Sequence, residues 1–407
     1  MTLDELLARY RQTWYLPDPG PIEVVLAAVV ANQLPGTPAW VLLVGPPGSG
    51  KTEALRLLDP DALPKGDPHR WALANVHFAS TFTEPGLLSA SSTRTASATG
   101  GLLVKLGAQG IIVFKDLTTM LGKVGGRDRS ALDLLREVHD GSFVRNTGTQ
   151  GGKTFAWRGK AGALGAVTEE IDRHHNAVAA MGPRFLYYRM PRLDADERLA
   201  QGRAVLGAVG REEQVRAELT HTAARLLTSL NIPSQAPGLD SETRERLLLA
   251  ADIAAQARSA VSRDGATGQI EAIDDPEATS RMLATLDLMH GALAVVTGDP
   301  AEAWRVTAKL TWDSIPKARR LVLDALWAQP GLLPRTGLIA DAIGLPTGPT
   351  HRALEDLAAH QLVERCSKDH GEHQWRLAER IRHRLDQVGY EPLRTQPARA
   401  SAERPVV

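Results

Sequence analysis

VLLVGPPGSGKT, Val41 to Thr52, is the stretch on which the reading of this chain turns. The run Trp40 to Val44 is short, wholly apolar and stops at a glycine, the pattern of a buried strand. Gly45 is followed by four residues, then by Gly50-Lys51-Thr52 and the helical pattern EALRLL. Strand, glycine-rich turn and helix in that order are the context a phosphate-binding loop requires. Gly45, Gly48, Ser49 and Gly50 let successive backbone N–H groups turn toward an anion, at a helix start whose dipole favours negative charge. Lys51 would reach the terminal phosphates, and the Thr52 hydroxyl would sit on Mg2+. ATP and Mg2+ are the ligands this stretch predicts.

Working outward, 407 residues leave room for two or three domains. Lys and Arg total 47 and Asp and Glu total 47, so a nucleic-acid contact has to come from local patches rather than net charge. The single cysteine, Cys366, excludes an internal disulfide and suits a reducing compartment. The start, MTLDELLARYRQTW, is charged from residue 4 onward and has no apolar signal core. The apolar run IEVVLAAVVA is too short to span a bilayer and stops at Asn32-Gln33. A cytoplasmic protein without a membrane partner is expected.

Along the chain, Ile22 to Gln33 reads as a helix and residues 75–90 as a strand and turn. GIIVFKDL, Gly110 to Leu117, is a buried strand, and Ser130 to His139 is an amphipathic helix. SFVRNTGTQGGKTFAWRG is a β-hairpin turning at Gly151-Gly152; AGALGAVT and RFLYYRMP are further strands. Strands alternating with helices after a phosphate loop predict an α/β, three-layer αβα domain with a mainly parallel sheet. From Asp194 to about Thr311, Ala, Leu, Arg and Glu recur at helical spacing, and architectural analogy makes this a helical lid. IPKARRLVLDALWAQ, RTGLIADAIGL and THRALEDLAAHQL are then three helices, and LVERCSKDHGEHQWRLAE is strand, turn, strand. That order is a winged helix-turn-helix, whose third helix enters a DNA major groove or, alternatively, serves protein contacts alone. In the first case Thr350, His351 and Arg352 lie near the exposed start of that helix, with Lys368, His370 and His373 on the wing. The expected domains are an ATPase core over 1–193, a lid over 194–311, a winged helix over 312–390 and a disordered tail over 391–407.

The α/β part resembles the AAA+ ATPases, and among them the MCM-like helicase branch. GALGAVTEE looks like the strand that ends in the polar sensor, which puts Thr168 at that position. MGPRFLYYRMP is similar to the segment carrying the arginine finger, so the resemblance makes Arg184 the finger, offered in trans within a ring or dimer; a pair inside one chain is the alternative. EATSRMLATLDL resembles the second sensor helix, with Arg281 as its basic residue. The hairpin stands where these helicases place a DNA-touching hairpin, which implies Arg145, Lys153 and Lys160 as contacts.

The second motif departs from the family. Where the family ends a strand in Asp-Glu, this chain has Lys115-Asp116-Leu117. Either Asp116 is the Mg2+-side aspartate, with no glutamate beside it, or Lys115 replaces that aspartate and Asp116 stands for the glutamate. Glu137, Glu169 and Glu170 are candidate replacement bases, and the sequence does not choose among them. Catalytic work would fall to Asp116, Thr168, Arg184 and Arg281 with the loop. The adjacent His174 and His175 diverge on a helix and read as surface or interface residues. Cys366, His370 and His373 read as ordinary wing residues, so no structural zinc is expected. The expected function is ATP-driven action on DNA as a helicase, helicase loader or replication initiator. A nucleotide-switched winged-helix regulator and an oligomeric signalling or defence ATPase are the alternatives.

Overall fold

The structure is a computed structural model that describes residues 1–80, 83–89, 100–118, 130–147, 152–175, 184–273, 275–369 and 372–392. The chain divides into two compact units, Met1–Asp240 with Ala284–Leu310, and Ser241–Leu283 with Thr311–Val407. Residues 194–311 are therefore shared between them.

The first unit opens with α1 (Leu3–Thr13), started by a capping box in which Thr2 and Glu5 exchange hydrogen bonds. α2 (Gly20–Gln33) follows, then β1 (Trp40–Val44), α3 (Lys51–Arg56), β2 (Val76–Ala79), the short α4 (Glu84–Leu87) and α5 (Leu102–Leu106), and β3 (Gln109–Phe114). Next come α6 (Ser130–His139), the hairpin β4 (Ser142–Thr147) and β5 (Lys153–Arg158), β6 (Lys160–Val167) and β7 (Phe185–Arg189). The helices α7 (Ala195–Ala208) and α8 (Glu212–Ser229) close the continuous part.

Five strands form one sheet in the order β2-β3-β6-β1-β7, and every pairing is parallel. All five residues of β1 are buried, because a central parallel strand is covered on both faces. Alternation sends Trp40, Leu42 and Val44 to one face, where Ile112, Phe114, Phe185 and Tyr187 join them. Leu135 and Val138 of α6 and Phe143, Phe155 and Trp157 of the hairpin pack onto that core. α2 is buried on nearly every side, as a helix that is apolar all round must be. Of the turn expected at Gly151-Gly152, Gly151 lies outside the described residues with 148–150, while both flanking strands are as expected.

In the second unit α9 (Ser241–Ala257) leads to a small antiparallel hairpin, β8 (Val261–Arg263) and β9 (Ile270–Ile273), where the sequence suggests only a connection. Its turn is made by the Asp264 carboxylate, which accepts from Thr267 N and Ala266 N. α9 ends at Ala257 because the buried Arg319 donates to the carbonyls of Ala257 and Ser259. Arg319 also pairs with Asp356, which pairs with Arg263 in turn. α10 (Thr279–Thr297) begins in this unit, but its larger part and most of α11 (Pro300–Asp313) belong to the first unit; the second unit resumes with α12 (Lys317–Trp327), α13 (Thr336–Ile343) and α14 (Thr347–Ala359). The strands β10 (Val363–Asp369) and β11 (Glu372–Leu377) are antiparallel, and α15 (Glu379–Val388), absent from the sequence reading, follows. The tail expected over 391–407 lies outside the described residues from 393 onward.

Gln361, just after α14, has φ 60, the one positive φ outside glycine among the described residues. A side chain in this left-handed region carries a penalty of about 1–2 kcal/mol, and glycine's extra unfolded entropy returns about 0.4–1 of it. The backbone bonds Leu362 N to Leu357 O and Arg380 to Gln361 O do not use the Gln361 side chain. Gln361→Gly is therefore expected to raise stability by about 0.5–1 kcal/mol. Urea unfolding measures it; a loss of stability would refute the account.

Candidate functional site

The loop Gly45–Thr52 leaves the carboxyl end of β1, where β3, β6 and β7 also end. Backbone bonds tie these ends together: Gly45 N to Val167 O at 3.2 Å, Leu117 N to Ala166 O at 2.9 Å and Met190 N to Val44 O at 2.8 Å. At Gly45 the need for glycine is steric, since a Cβ there would stand 2.9 Å from Met190 Cβ. At Gly48 and Gly50 it is conformational, with φ of 77 and 84 and open space beside both.

Lys51 begins α3, and its ammonium donates back into the loop, to Gly45 O at 2.8 Å, Pro46 O at 2.6 Å and Ser49 Oγ at 3.2 Å. The residue is only 8% exposed, and all three partners are neutral oxygens. Burial lowers its pKa, opposed by the charges of Asp116 and Glu169. A buried cation held by neutral acceptors is a site whose electrostatics favour an incoming anion. The residues therefore fit a polyphosphate: Gly45, Gly48, Ser49, Gly50 and Lys51 would hold it, with Thr52 and Asp116 as the oxygen donors for Mg2+.

Asp116 lies two residues past β3, exposed, its Oδ1 accepting from Thr118 N at 2.8 Å. Lys115 is 3.8 Å from Asp59 and sits 4.9 Å over the Phe78 ring. Asp116, whose charge acts on Lys51, is thus the carboxylate of this strand end on the loop's side. Thr168 follows β6, and its N–H donates to Thr118 Oγ1 at 3.1 Å. Beyond it, Asp172 receives Arg189 in a two-bond pair at 2.8 Å each. Two contacts escaped the sequence reading altogether: Gln201 of α7 donates to Gly48 O of the loop at 3.1 Å, and Arg216 of α8 holds Glu53 of α3 through two bonds of 2.9 Å. Nothing in the order of residues signals either contact.

Arg184 pairs with Asp140 of the same chain, at 2.9 and 3.1 Å. Arg281 belongs to the second unit, exposed in the first turn of α10. Arg145 is turned inward, donating to Leu88 O at 2.7 Å with Glu84 3.6 Å away, while Lys153 is half-buried on β5. Lys160 lies in the central sheet rather than on the hairpin, and its amine donates to Ala31 O and Leu34 O at the end of α2. Thr350, expected near an exposed helix start, is fully buried: it shares the apolar face of α14 with Ala353, Leu354 and Leu357, and its hydroxyl donates to Pro346 O. His351 is half-buried, 3.6 Å from Glu355, and Arg352 is exposed at the same helix start. Lys368 falls on β10 with its side chain outside the described residues, as is His370. His175, read as a surface or interface residue, is buried. Among the described residues no group of three His, Cys, Asp or Glu could hold a metal ion, and no helix is long and apolar enough to cross a membrane.

Burial pushes the Lys160 amine down to about 8. The folded value lies below the ordinary lysine value of about 10.4, so between the two the unfolded chain binds more protons and stability rises with pH. The stability advantage of the wild type over Lys160→Met is expected to grow between about pH 8 and 10. Thermal unfolding across that range measures it; a difference independent of pH would refute the assignment.

No protein-family model matches the chain, and no curated protein matches it. Among solved structures it is similar to a chain described as an active helicase, SCCmec type IV Cch, at 10% identity and a TM-score of 0.33, covering 96% of this chain and 72% of that one. A likeness that distant carries no argument about what this chain does.

Proposed function

We infer that the chain is an ATP-binding and ATP-hydrolysing P-loop protein of AAA+-like, MCM-like architecture that acts on DNA. The observation that carries this reading is Lys51: a buried ammonium on neutral loop oxygens, at the carboxyl edge of an all-parallel sheet. Such edges are where α/β sheets bind ligands. In hydrolysis Lys51 would exchange its carbonyl partners for phosphate oxygens, while Thr52 and Asp116 hold Mg2+. Mg2+ held there would supply charge neutralisation to the phosphates. Thr168, just past the end of β6, would orient the reacting end. The helices α12, α13 and α14 followed by the β10–β11 hairpin support a winged helix, and the β4–β5 hairpin supports a second nucleic-acid contact. The finer assignments, to a ring with Arg184 in trans and to Arg281 as a sensor, belong to this proposal.

One observation favours protein rather than DNA at the winged helix. Of the expected base-reading residues Thr350 is buried, and the acidic Glu355 and Asp356 of α14 are engaged by Arg263 and Arg319 within the unit. Exposed Leu332, Leu333 and Leu338 lie nearby in sequence. Steady-state ATP hydrolysis with and without single- and double-stranded DNA separates the readings. DNA-stimulated turnover is expected. Turnover indifferent to DNA would sink the DNA assignment, and absence of ATP binding would sink the whole reading.

A further inference from the structure

We propose that Gln201 of α7 is a positioning residue for the phosphate loop. Its amide fixes the peptide between Gly48 and Ser49 so that the Ser49 N–H faces the Lys51 side of the loop, where phosphate would bind. The inference rests on the nucleotide reading above and follows from the geometry of one peptide. A trans peptide is planar, with its C=O and N–H on opposite sides, so holding one directs the other. Gln201 Nε2 donates to Gly48 O at 3.1 Å. On the opposite side Ser49 N donates to Pro46 O at 3.3 Å, and the same oxygen accepts the Lys51 ammonium at 2.6 Å. The Ser49 N–H is thereby turned toward the buried ammonium. An anion that draws Lys51 away from Pro46 O meets that N–H as a second donor.

Packing does little to hold this peptide. Gly48 is exposed, has open space where a Cβ would stand and takes φ 77; Gly50, two residues on, takes φ 84. Glycine populates both signs of φ about equally. The two glycines that let the loop turn therefore also let the peptide between them flip. A hydrogen bond from outside the loop is what keeps such a peptide in one orientation, and Gln201, 153 positions beyond Gly48, supplies it.

α7 is suited to respond in turn. Its only buried residue is Ala208, while Leu199, Val205 and Leu206 are exposed. A helix that buries so little lies at the low end of local stability. Coupling between two equilibria is reciprocal: if the Gln201 bond favours nucleotide, bound nucleotide favours the bond by the same factor and orders α7.

The test uses the full chain carrying Gln201→Met, which keeps the length of the side chain and removes its donor without adding charge. Tyr15→Phe stands beside it and removes a different tether of α7, the Tyr15 hydroxyl that donates to Glu197 Oε1 at 3.3 Å. The probe is the non-hydrolysable β,γ-imido analogue of ATP with Mg2+. Gln201→Met is expected to raise its Kd about 3–10-fold, the value of one net hydrogen bond. The nucleotide-free melting temperature should stay within about 2 °C of wild type. Amide hydrogen exchange separates orientation from simple docking. Without nucleotide, the Ser49 amide should exchange about 3–10-fold faster in Gln201→Met than in wild type. With the analogue bound, exchange across α7 should slow in wild type and not in Gln201→Met. Tyr15→Phe should change neither the Kd nor Ser49 exchange. A Kd raised less than about threefold in Gln201→Met, an equal weakening in Tyr15→Phe, or unchanged Ser49 exchange would each overturn the assignment while leaving nucleotide binding intact. A wild type that does not bind the analogue would overturn the nucleotide reading and this proposal together.

Discussion

Lys51→Ala is expected to remove the stabilisation that Mg–ATP gives the folded chain, while leaving the nucleotide-free protein about as stable as before. The two halves have separate causes. Without nucleotide, the Lys51 ammonium is buried among neutral oxygens, an arrangement in which desolvation offsets much of what three hydrogen bonds contribute. Pro46 and Gly48 are exposed, so solvent reaches the loop when the amine is gone. The change in stability should stay within about 1 kcal/mol. With nucleotide, the same amine is the cation of the loop, and hydrogen bonds to charged groups contribute about 1.5–3 kcal/mol each. Losing two of them weakens ATP by about 10²-fold or more. In the wild type, ATP at a hundred times its Kd adds about 2.7 kcal/mol, which moves Tm upward by about 5–10 °C in a unit of this size. The variant should show almost none of that shift. A thermal scan with and without Mg–ATP decides it: an unchanged shift in Lys51→Ala would mean that nucleotide binds elsewhere or that the loop holds it by backbone alone.

How far the sequence carried differs element by element, for physical reasons. β1, β6 and β7 were legible because strands buried on both faces are continuously apolar and stop at turn residues. The loop was legible because its glycines answer steric and conformational needs that other residues do not meet. Thr350 was misplaced although a signal was present, since it stands three, four and seven residues before Ala353, Leu354 and Leu357 and so completes their apolar face. α15 left a similar signal in Ile381, Leu385 and Val388, masked by four basic residues around them. Lys160 and Arg145 left none. A lysine that opens a strand looks the same whether its amine meets solvent or, as here, the carbonyls ending α2 more than a hundred residues earlier. Arg319 likewise sits in an amphipathic helix with nothing to show that its guanidinium closes α9. Long-range polar partners are a property of the folded chain, and charged side chains with buried stems hide them best.

Arg184 is where the two kinds of reading meet, and a double-mutant cycle with Asp140 separates them. Its side chain is 7% exposed and holds Asp140 through contacts of 2.9 and 3.1 Å. Asp140 also faces His139 at 3.1 Å, and His139 packs edge-on against Trp40 in the core. If the arginine is structural, Arg184→Ala should destabilise the chain by about 2–3 kcal/mol, from the lost charge-assisted bonds and the lost packing of its stem. Asp140 is about half exposed, so solvent screening limits the coupling itself to about 1–2 kcal/mol. Asp140→Ala should then lose part of the same stability, and the double variant should lose less than the sum. The pH dependence has a definite sign. Burial raises the Asp140 pKa, but hydrogen bonds from Arg184 and His139 outweigh it and hold the carboxyl below its ordinary value. A depressed carboxyl contributes stability above its unfolded pKa and loses it as pH falls through the folded one. The Arg184→Ala penalty should therefore shrink below about pH 4. An arginine offered to a neighbouring subunit would behave differently: Arg184→Ala would leave Tm unchanged, show no coupling to Asp140, and lower ATP turnover only at protein concentrations where subunits assemble. Stability measured at two pH values, beside turnover measured at two concentrations, assigns Arg184 to one role or the other.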